Sequence, residues 1–378
     1  MVTGSCILAR SSDVSVEHRV KRVFSHLTVQ PDLILLQNAS EPFIDDNFFY
    51  VTGLDQGLFE GSTALLYPDG GLDLIVSELE AETAKHTDAH LHTYKKKETS
   101  NGLFQPQLAS ATTIGINFAG IAHQQFMKLL EQFPSKQFID VSDAFTKSRA
   151  IKDATELAHI KRACHIADQV MEKIPELTRE SLYECELAAE IGYLLQKHGA
   201  DKPAFDIISS FGAHTAEPHY THGKTRLHRN DLVLCDFGAC FKKYNSDITR
   251  AFIFGSPSKQ QQDMYDTVLE AQEIGIETAR AGINACDVHR AVSKYIEKSP
   301  FAGRFIHSTG HSLGLAVHDG GIGFTDECTD ILQEHMVLTI EPGVYLPGIG
   351  GVRIEDDVLI KKQGVEFLTT ASKAFRRI

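Results

Sequence analysis

Four acidic residues in the C-terminal half are spaced so that folded β-ribbons would bring them together in pairs. In LVLCDFGACFKKYNSDITRAFIF, Asp236 and Asp247 stand eleven positions apart. They flank a polar stretch with Lys242, Lys243 and Asn245, which reads as a hairpin with a longer loop. If the two acids oppose each other across the ladder, both face one side of the sheet with Cβ atoms ~5 Å apart. Alone, Asp247 beside Ser246 would read as an ordinary turn residue. VLTIEPGVYLPGIGGVRIEDDVLI carries the same device. Folding it about Gly348, inside Pro347-Gly348-Ile349-Gly350-Gly351, sets Glu341 opposite Glu355. Arg353, two residues before Glu355, shares that face. Pro342 interrupts a regular ladder, so this strand is expected to be bent or at an edge. Like charges facing each other on a half-buried sheet are unfavourable unless a cation lies between them.

Between the two pairs lies FIHSTGHSLGLAVHD, with His307, His311 and His318 inside twelve residues and Gly310 and Gly314 interleaved. A lone histidine is usually structural; three so close, among glycines that let backbone approach, point to a site. His318 follows His311 by seven positions. On a continuous strand that odd spacing puts the two on opposite faces, so a turn or bend, which Gly314 can allow, has to bring His318 round. Four carboxylates and an imidazole suit two divalent ions sharing bridging oxygens. Ions ~3.5–4 Å apart generate a bridging hydroxide at neutral pH and polarise a carbonyl. On chemistry alone two classes stay open, a two-metal hydrolase and a carboxylate-bridged di-metal oxidase. The oxidases normally present their ligands on helices with a Glu-x-x-His motif. The acids here sit in β-type runs, so the hydrolase is preferred.

The elements that must hold these residues fall into two domains, 1–148 and 149–378, as expected for 378 residues at about 100–200 per domain. The leading part alternates short β-type runs with helical ones, an α/β pattern. Its strand candidates are 33–36, 64–67, 72–76 and 114–118, the second and third joined by a Pro-Asp-Gly-Gly turn. His86, His90 and His92 have no carboxylate partnered to them in sequence and read as surface residues. Near residue 150 the pattern changes. Asp153 with Glu156 forms a capping box, opening a helix with Leu157, Ile160, Cys164, Ala167, Met171 and Ile174 on one face. Ser181 with Glu184 is expected to cap a second helix, and β-type runs follow at 205–211 and 232–254. Helices over about 263–280 and 285–298 and a second β region repeat that order, which predicts a pseudo-twofold.

Composition removes several classes. With 50 acidic against 37 basic residues, the net charge of −13 disfavours a nucleic-acid partner. Lys95-Lys96-Lys97 is followed by Glu98 and reads as a solvated loop. No apolar run approaches the ~18 residues of a membrane span. The start, MVTGSCILARSSD, lacks the features of a secretory signal. Seven scattered cysteines without a CxxC pair argue against disulfides or a thiolate zinc site, and for a cytoplasmic setting.

DFG…YNSDITRAF, HSTGHSLGLAVHD, TIEPGVYLPG and GVRIEDDVLI, in this order, resemble the pita-bread (creatinase/aminopeptidase P-like) metallopeptidases, the family of the Xaa-Pro dipeptidases and Xaa-Pro aminopeptidases. The resemblance runs from about Lys152 to Thr369. NFFYVTGL at 47–54 and LIVSELEAETAK at 74–85 resemble the creatinase-type leading domain. The implied fold is α+β: a pita-bread domain with pseudo-twofold αα-ββ halves after a smaller α/β creatinase-like domain. The implied ligands of two divalent ions are Asp236, Asp247, His311, Glu341 and Glu355, with Asp247 and Glu355 bridging. Mn²⁺ or Co²⁺ suits such oxygen-rich ligation, and Zn²⁺ is possible. Glu341 would be the general acid and base. His219, in AEPHY, and His318 would steady the scissile carbonyl and the proline end of a small peptide substrate with proline in second position. His307 and Arg353 match further active-site positions, Arg353 orienting His219 or a substrate carboxylate. The resemblance also implies a homodimer. His335 stands where the family usually has glycine, Asp319 replaces a common Glu, and 37–48 contains extra sequence.

Methionine aminopeptidases share the five ligands but usually lack the leading domain and the GVRIEDD context. Creatinase lacks the metal ligands. A non-catalytic peptide-binding protein on the same fold would keep four buried carboxylates at a cost. Dipeptidase or longer-peptide aminopeptidase turns on whether a leading domain closes the space beyond the proline; chain length leans toward the dipeptidase.

Overall fold

In the computed structural model, which describes residues 15–378, the chain separates into two units. One runs to Arg149 and takes in Asp153–Thr155; the other holds Ala150–Lys152 and Glu156–Ile378. Cys6 and the leading segment read for a secretory signal lie outside the described residues, as do the side chains of Lys97 and Glu98. Among the described residues the six cysteines are free thiols, and no helix is long and apolar enough to cross a membrane.

The first unit runs α1 (Val16–Ser25), β1 (Leu33–Gln37), α2 (Asp46–Thr52), β2 (Thr63–Leu66), β3 (Leu72–Ser77), α3 (Ala81–Ala84), β4 (His90–Tyr94), α4 (Lys97–Ser110), β5 (Thr113–Ile116), α5 (His123–Gln132), β6 (Gln137–Asp140) and α6 (Ser142–Ala150). The strands form one mixed sheet in the order β4-β3-β2-β1-β5-β6. Leu33, Leu35, Leu65, Ile75, Ile114 and Ile116 bury one face against Phe104 and Leu108 of α4. The four expected strands stand within two residues of their places. The polar strands β4 and β6 have no apolar run to announce them. Both are edges, recruited by pairing with β3 and β5 rather than by burial.

The second unit runs α7 (Ala154–Met171), α8 (Ile174–Leu177), α9 (Glu184–Lys197), β7 (Lys202–Pro203), β8 (Ile208–Phe211), β9 (Leu232–Phe237), β10 (Ala239–Phe241), β11 (Tyr244–Asn245), β12 (Ile248–Ile253), α10 (Lys259–Thr278), α11 (Ala285–Ile296), β13 (Val337–Ile340), β14 (Gly343–Leu346), β15 (Gly350–Arg353), β16 (Asp356–Ile360) and β17 (Val365–Phe367). Long helices and strands alternate twice, as the element order implies, and the unit is α+β. Ile166, Val170, Leu187 and Ile191 of α7 and α9 pack on Val233, Cys235 and Phe237 of β9. The Ser181–Glu184 cap does not form. Ser181 sits at φ 65° and the N-cap of α9 falls two residues later, at Tyr183, whose N–H donates to Glu186 Oε2 at 2.9 Å. Glu184 turns inward instead.

The first hairpin is tighter than expected. Ile248 pairs with Phe237 and Thr249 with Asp236, and the same register continues through Cys240↔Asn245 and Phe241↔Tyr244. The connection is the two residues Lys242 and Lys243, at φ 51° and 71°, a primed turn whose twist matches the ribbon. Asp236 therefore faces Thr249, and Asp247 lies diagonally on the same face rather than opposite. The second hairpin keeps the expected register. Gly343↔Arg353 and Ile340↔Asp356 belong to one alignment, interrupted around Pro342. Glu341 and Glu355 sit at that interruption, between two ladders.

His335, exposed before β13, has φ 71°, the left-handed region that glycine adopts freely. Its amide bonds Ile360 O at 3.1 Å and its carbonyl accepts from Lys152 N at 2.9 Å, so the backbone is held there. Relief of strain worth ~1–2 kcal/mol, less the entropy glycine adds to the unfolded chain, leaves a gain. His335→Gly is expected to raise stability by about 0.5–1 kcal/mol, read as a higher urea midpoint; a lower midpoint refutes the strain argument.

Candidate metal centre and catalytic cavity

The two hairpins and the 307–318 segment converge on a cavity of about 460 Å³. Its walls include Asp236, Asp247, His311, Glu341 and Glu355, together with His219, His307, His318 and Arg353. All the residues singled out from sequence therefore reach one space. Phe205, Ile208 and Val317 add apolar wall.

His311 Nε2 lies 3.7 Å from Asp247 Oδ2 and 3.6 Å from Glu341 Oε1. Asp247, His311 and Glu355 each offer a ligand atom within 4.8 Å of the others. Asp236 Oδ1, Asp247 Oδ1 and Glu355 Oε1 are buried with no hydrogen-bond partner. Three orphaned carboxylate oxygens in one cavity are costly as they stand, and with an imidazole they are the donors a divalent cation takes. The residues present fit the metal. Burial, reinforced by Glu355, Asp236, Asp357 and Glu341, pushes the Asp247 carboxyl far above its ordinary range. Burial and then Glu341 do the same to Glu355. Burial raises Glu341 to about 7 against the pull of Arg353. Burial, helped by His318, lowers His311 to about 4, so the ring is neutral and its lone pair is free to ligate.

A shell of polar groups holds these acids, and of it the sequence reading picked out only Arg353 as a site residue. Arg353, 4% exposed, gives Nη2 to Asp236 Oδ2 at 2.5 Å, Nε to Thr249 Oγ1 at 3.1 Å and Nη1 to Tyr345 Oη at 2.9 Å. It reaches the carbonyl of Pro218 at 3.5 Å, the residue before His219. Its donors are thus committed within the protein, to Asp236 above all, rather than held out to a substrate carboxylate. Thr249 Oγ1 donates to Glu355 Oε2 at 2.5 Å. Asp357 Oδ2 accepts from Asp247 N at 2.9 Å, and the thiol of Cys164 points at the same oxygen at 3.3 Å. Tyr345 joins His307 Nε2 at 2.8 Å to Arg353. Thr249 and Tyr345 lie inside the motifs, but nothing in residue type marks them. Glu184 is fully buried and accepts from Phe211 N at 2.9 Å, Gly223 N at 3.0 Å and Tyr220 Oη at 2.8 Å. It therefore ties down both ends of the segment that carries His219.

His318 reaches the site through a bend. The His311 and His318 rings lie 4.0 Å apart, centre to centre. Gly314 N bonds Ala316 O at 3.0 Å and Asp319 N bonds Ser312 O at 2.8 Å, closing the loop that reverses the chain. Gly314 is needed for space, because a Cβ there would overlap the Asp319 carboxylate. That carboxylate accepts from Leu315 N at 3.1 Å and lies 3.7 Å from the wholly buried Lys152 Nζ.

Residues 158–362 match the model of metallopeptidase family M24, and residues 30–151 that of the creatinase/prolidase N-terminal domain. The Xaa-Pro dipeptidase of Pyrococcus horikoshii is 38% identical over 335 residues, covering 86% of this chain and 91% of that protein. The crystal structure of the prolidase from Pyrococcus horikoshii superposes with a TM-score of 0.86 at 34% identity, covering 95% of this chain and 99% of that one. The X-Pro aminopeptidase of Thermotoga maritima superposes with a TM-score of 0.87 at 30% identity, covering 95% and 100%.

Protons and metal compete for these oxygens. Glu341, ordinarily near 4.5, keeps its proton up to about 7 in the metal-free chain, and Asp247 and Glu355 are raised too. A cation needs them ionised, so binding displaces protons and tightens as pH rises through about 7. Titration of Mn²⁺ into metal-free protein, by calorimetry in buffers of different ionisation enthalpy, is expected to show net proton release at about pH 6. Binding there with no proton released counts against the raised carboxylates.

Proposed function

The chain belongs to metallopeptidase family M24, and from that premise we propose that it hydrolyses the Xaa-Pro bond of short peptides, acting as an Xaa-Pro dipeptidase on a dinuclear centre. The observation that carries this reading is the convergence of the five donors, three with orphaned buried oxygens, on one cavity shared with His219, His307, His318 and Arg353. A cavity of about 460 Å³ suits a small ligand, since such sites span about 300–1,000 Å³. The names of the relatives, Xaa-Pro dipeptidase and prolidase, support the substrate class. The X-Pro aminopeptidase of comparable likeness supports the second reading, removal of one residue from a longer peptide.

In this reading Asp236, Asp247, His311, Glu341 and Glu355 would hold two divalent ions, Mn²⁺ or Co²⁺. Such a pair would lower the pKa of water and polarise the scissile carbonyl. Glu341 takes a proton from the attacking water and returns it to the leaving proline nitrogen, the role of a positioned general base and acid. His318, lowered by burial and by His219, is a neutral donor to the developing oxyanion. His219 steadies the proline end. Arg353 acts by fixing Asp236 and the Pro218 carbonyl, and Tyr345 by linking His307 to Arg353. A homodimer completes the proposal, checked by light scattering.

Ala-Pro, Ala-Pro-Ala and Met-Ala-Ser, each offered with Mn²⁺ and with Co²⁺, separate the readings. Fast turnover of Ala-Pro is expected; preference for Ala-Pro-Ala selects the aminopeptidase, and preference for Met-Ala-Ser overturns proline specificity. Asp247→Ala is expected to lose bound metal and nearly all turnover; two ions per chain with ordinary activity would remove the dinuclear assignment. His318→Ala is expected to keep metal and melting temperature while kcat falls by about 10²–10³. An unchanged kcat in the fully metallated variant takes His318 out of the mechanism.

A further inference from the structure

The edge of the N-terminal sheet carries a second group of metal-ligating side chains. β3 and β4 run parallel, with Asp73 beside His90 and Ile75 beside His92. Strand period two puts His90 and His92 on one face of β4, and Asp73 shares that face. His86 and His90 are exposed, as expected, but the carboxylate absent from the sequence neighbourhood of His90 and His92 is supplied across the ladder. Asp73 Oδ1 lies 2.8 Å from His90 Nδ1 and 3.4 Å from His92 Nε2. One ligand atom from each residue falls within 4.8 Å of the other two.

Two features make this more than a chance meeting of polar groups. Tyr67 Oη donates to Asp73 Oδ2 at 2.8 Å, so the carboxylate is turned with Oδ1 toward both imidazoles. Bonds of that kind orient the ligands of metal sites. Burial alone would raise the Asp73 carboxyl, but the bonds from His90, Tyr67 and His92 outweigh it and hold it below the usual range, charged at neutral pH. Access is also right. β4 is the outer strand, and the His90 side chain is 74% exposed against 27% for His92 and 17% for Asp73. An ion can therefore enter from solvent and keep a water as its remaining ligand.

We propose that Asp73, His90 and His92 form a mononuclear site for a borderline divalent ion, Zn²⁺, with three protein ligands and one open position. Ligands of a tetrahedral Zn²⁺ at about 2.0–2.1 Å stand roughly 3.4 Å apart, so the observed spacings need only small side-chain rotations. Two imidazoles and one carboxylate favour Zn²⁺ over the harder ions that a carboxylate-rich set accepts. The bound ion ties the outer strand β4 to β3.

Equilibrium dialysis of the full-length protein at micromolar free Zn²⁺, read by atomic emission, tests this against His90→Gln/His92→Gln. The double variant is expected to bind one zinc fewer per chain while keeping its peptidase activity. The same difference of one is expected on an Asp247→Ala background, where the other centre is broken. Equal zinc contents overturn the proposal. A second measurement uses the unaltered chain, so it does not depend on the variant folding. Zn²⁺, but not Mg²⁺, is expected to protect His90 and His92 from diethyl pyrocarbonate, mapped by peptide mass spectrometry. Equal modification with and without Zn²⁺ overturns the proposal equally.

Discussion

Mutual repulsion among buried carboxylates is the constraint around which the catalytic unit is built. Asp236, Asp247, Glu341 and Glu355 line one cavity, where low dielectric strengthens every like-charge contact. Left to itself the group would spread or stay protonated. Arg353 answers Asp236 directly and, through Thr249, steadies Glu355. Arg250, 1% exposed, donates to Asp356 Oδ1 at 2.6 Å and to the carbonyl of Glu355 at 2.5 Å, fixing the backbone from which that acid projects. The remaining negative charge is left for cations to neutralise, so affinity for metal and the cost of being without it have one origin.

Asp236 projects from an unbroken ladder, but at the other three acids the ladders stop. Glu341 and Glu355 sit between β13–β16 and β14–β15, where Pro342 withholds a donor and the register passes through unchanged. Asp247 precedes β12, its amide held by Asp357 Oδ2 rather than by a strand partner. Backbone freed from a ladder can turn a short side chain into a cavity, whereas a regular strand sends it straight out from the pleat. Helices α10 and α11 supply the rigidity behind the site, packing Met264, Val268 and Val292 against Val344, Val352 and Ile354.

The histidines divide by environment rather than by type. His307 and His311 are both lowered to about 4, chiefly by burial, so each is a neutral ring. One faces carboxylates; the other is tied to Tyr345 and the carbonyl of Ser308. His318 is placed by the Lys152–Asp319 pair and the Gly314 bend, and His219 by a segment anchored on Glu184. His318 and His219 thus owe their positions to buried charged groups, and His307 to a hydroxyl and a backbone carbonyl.

The acids, the three clustered histidines, the second hairpin's register and the twofold order of elements were legible in the sequence, because they rest on spacing and turn chemistry within one segment. Tertiary structure decided what spacing cannot reach. The first hairpin closes on Lys242-Lys243, so Asp236 meets Thr249 and Asp247 lies on the diagonal, a difference set by backbone twist rather than residue type. Glu184 reads as a helix cap but is an internal anchor, because its partners come from residues 211–223. Strand β4 carries no apolar signal and exists because β3 pairs with it. Only that pairing brings Asp73, seventeen residues away, to His90. Periodicity reports which face of an element is buried; which distant residue completes a site depends on strand order and loop closure, and those are settled by the packing of the whole chain.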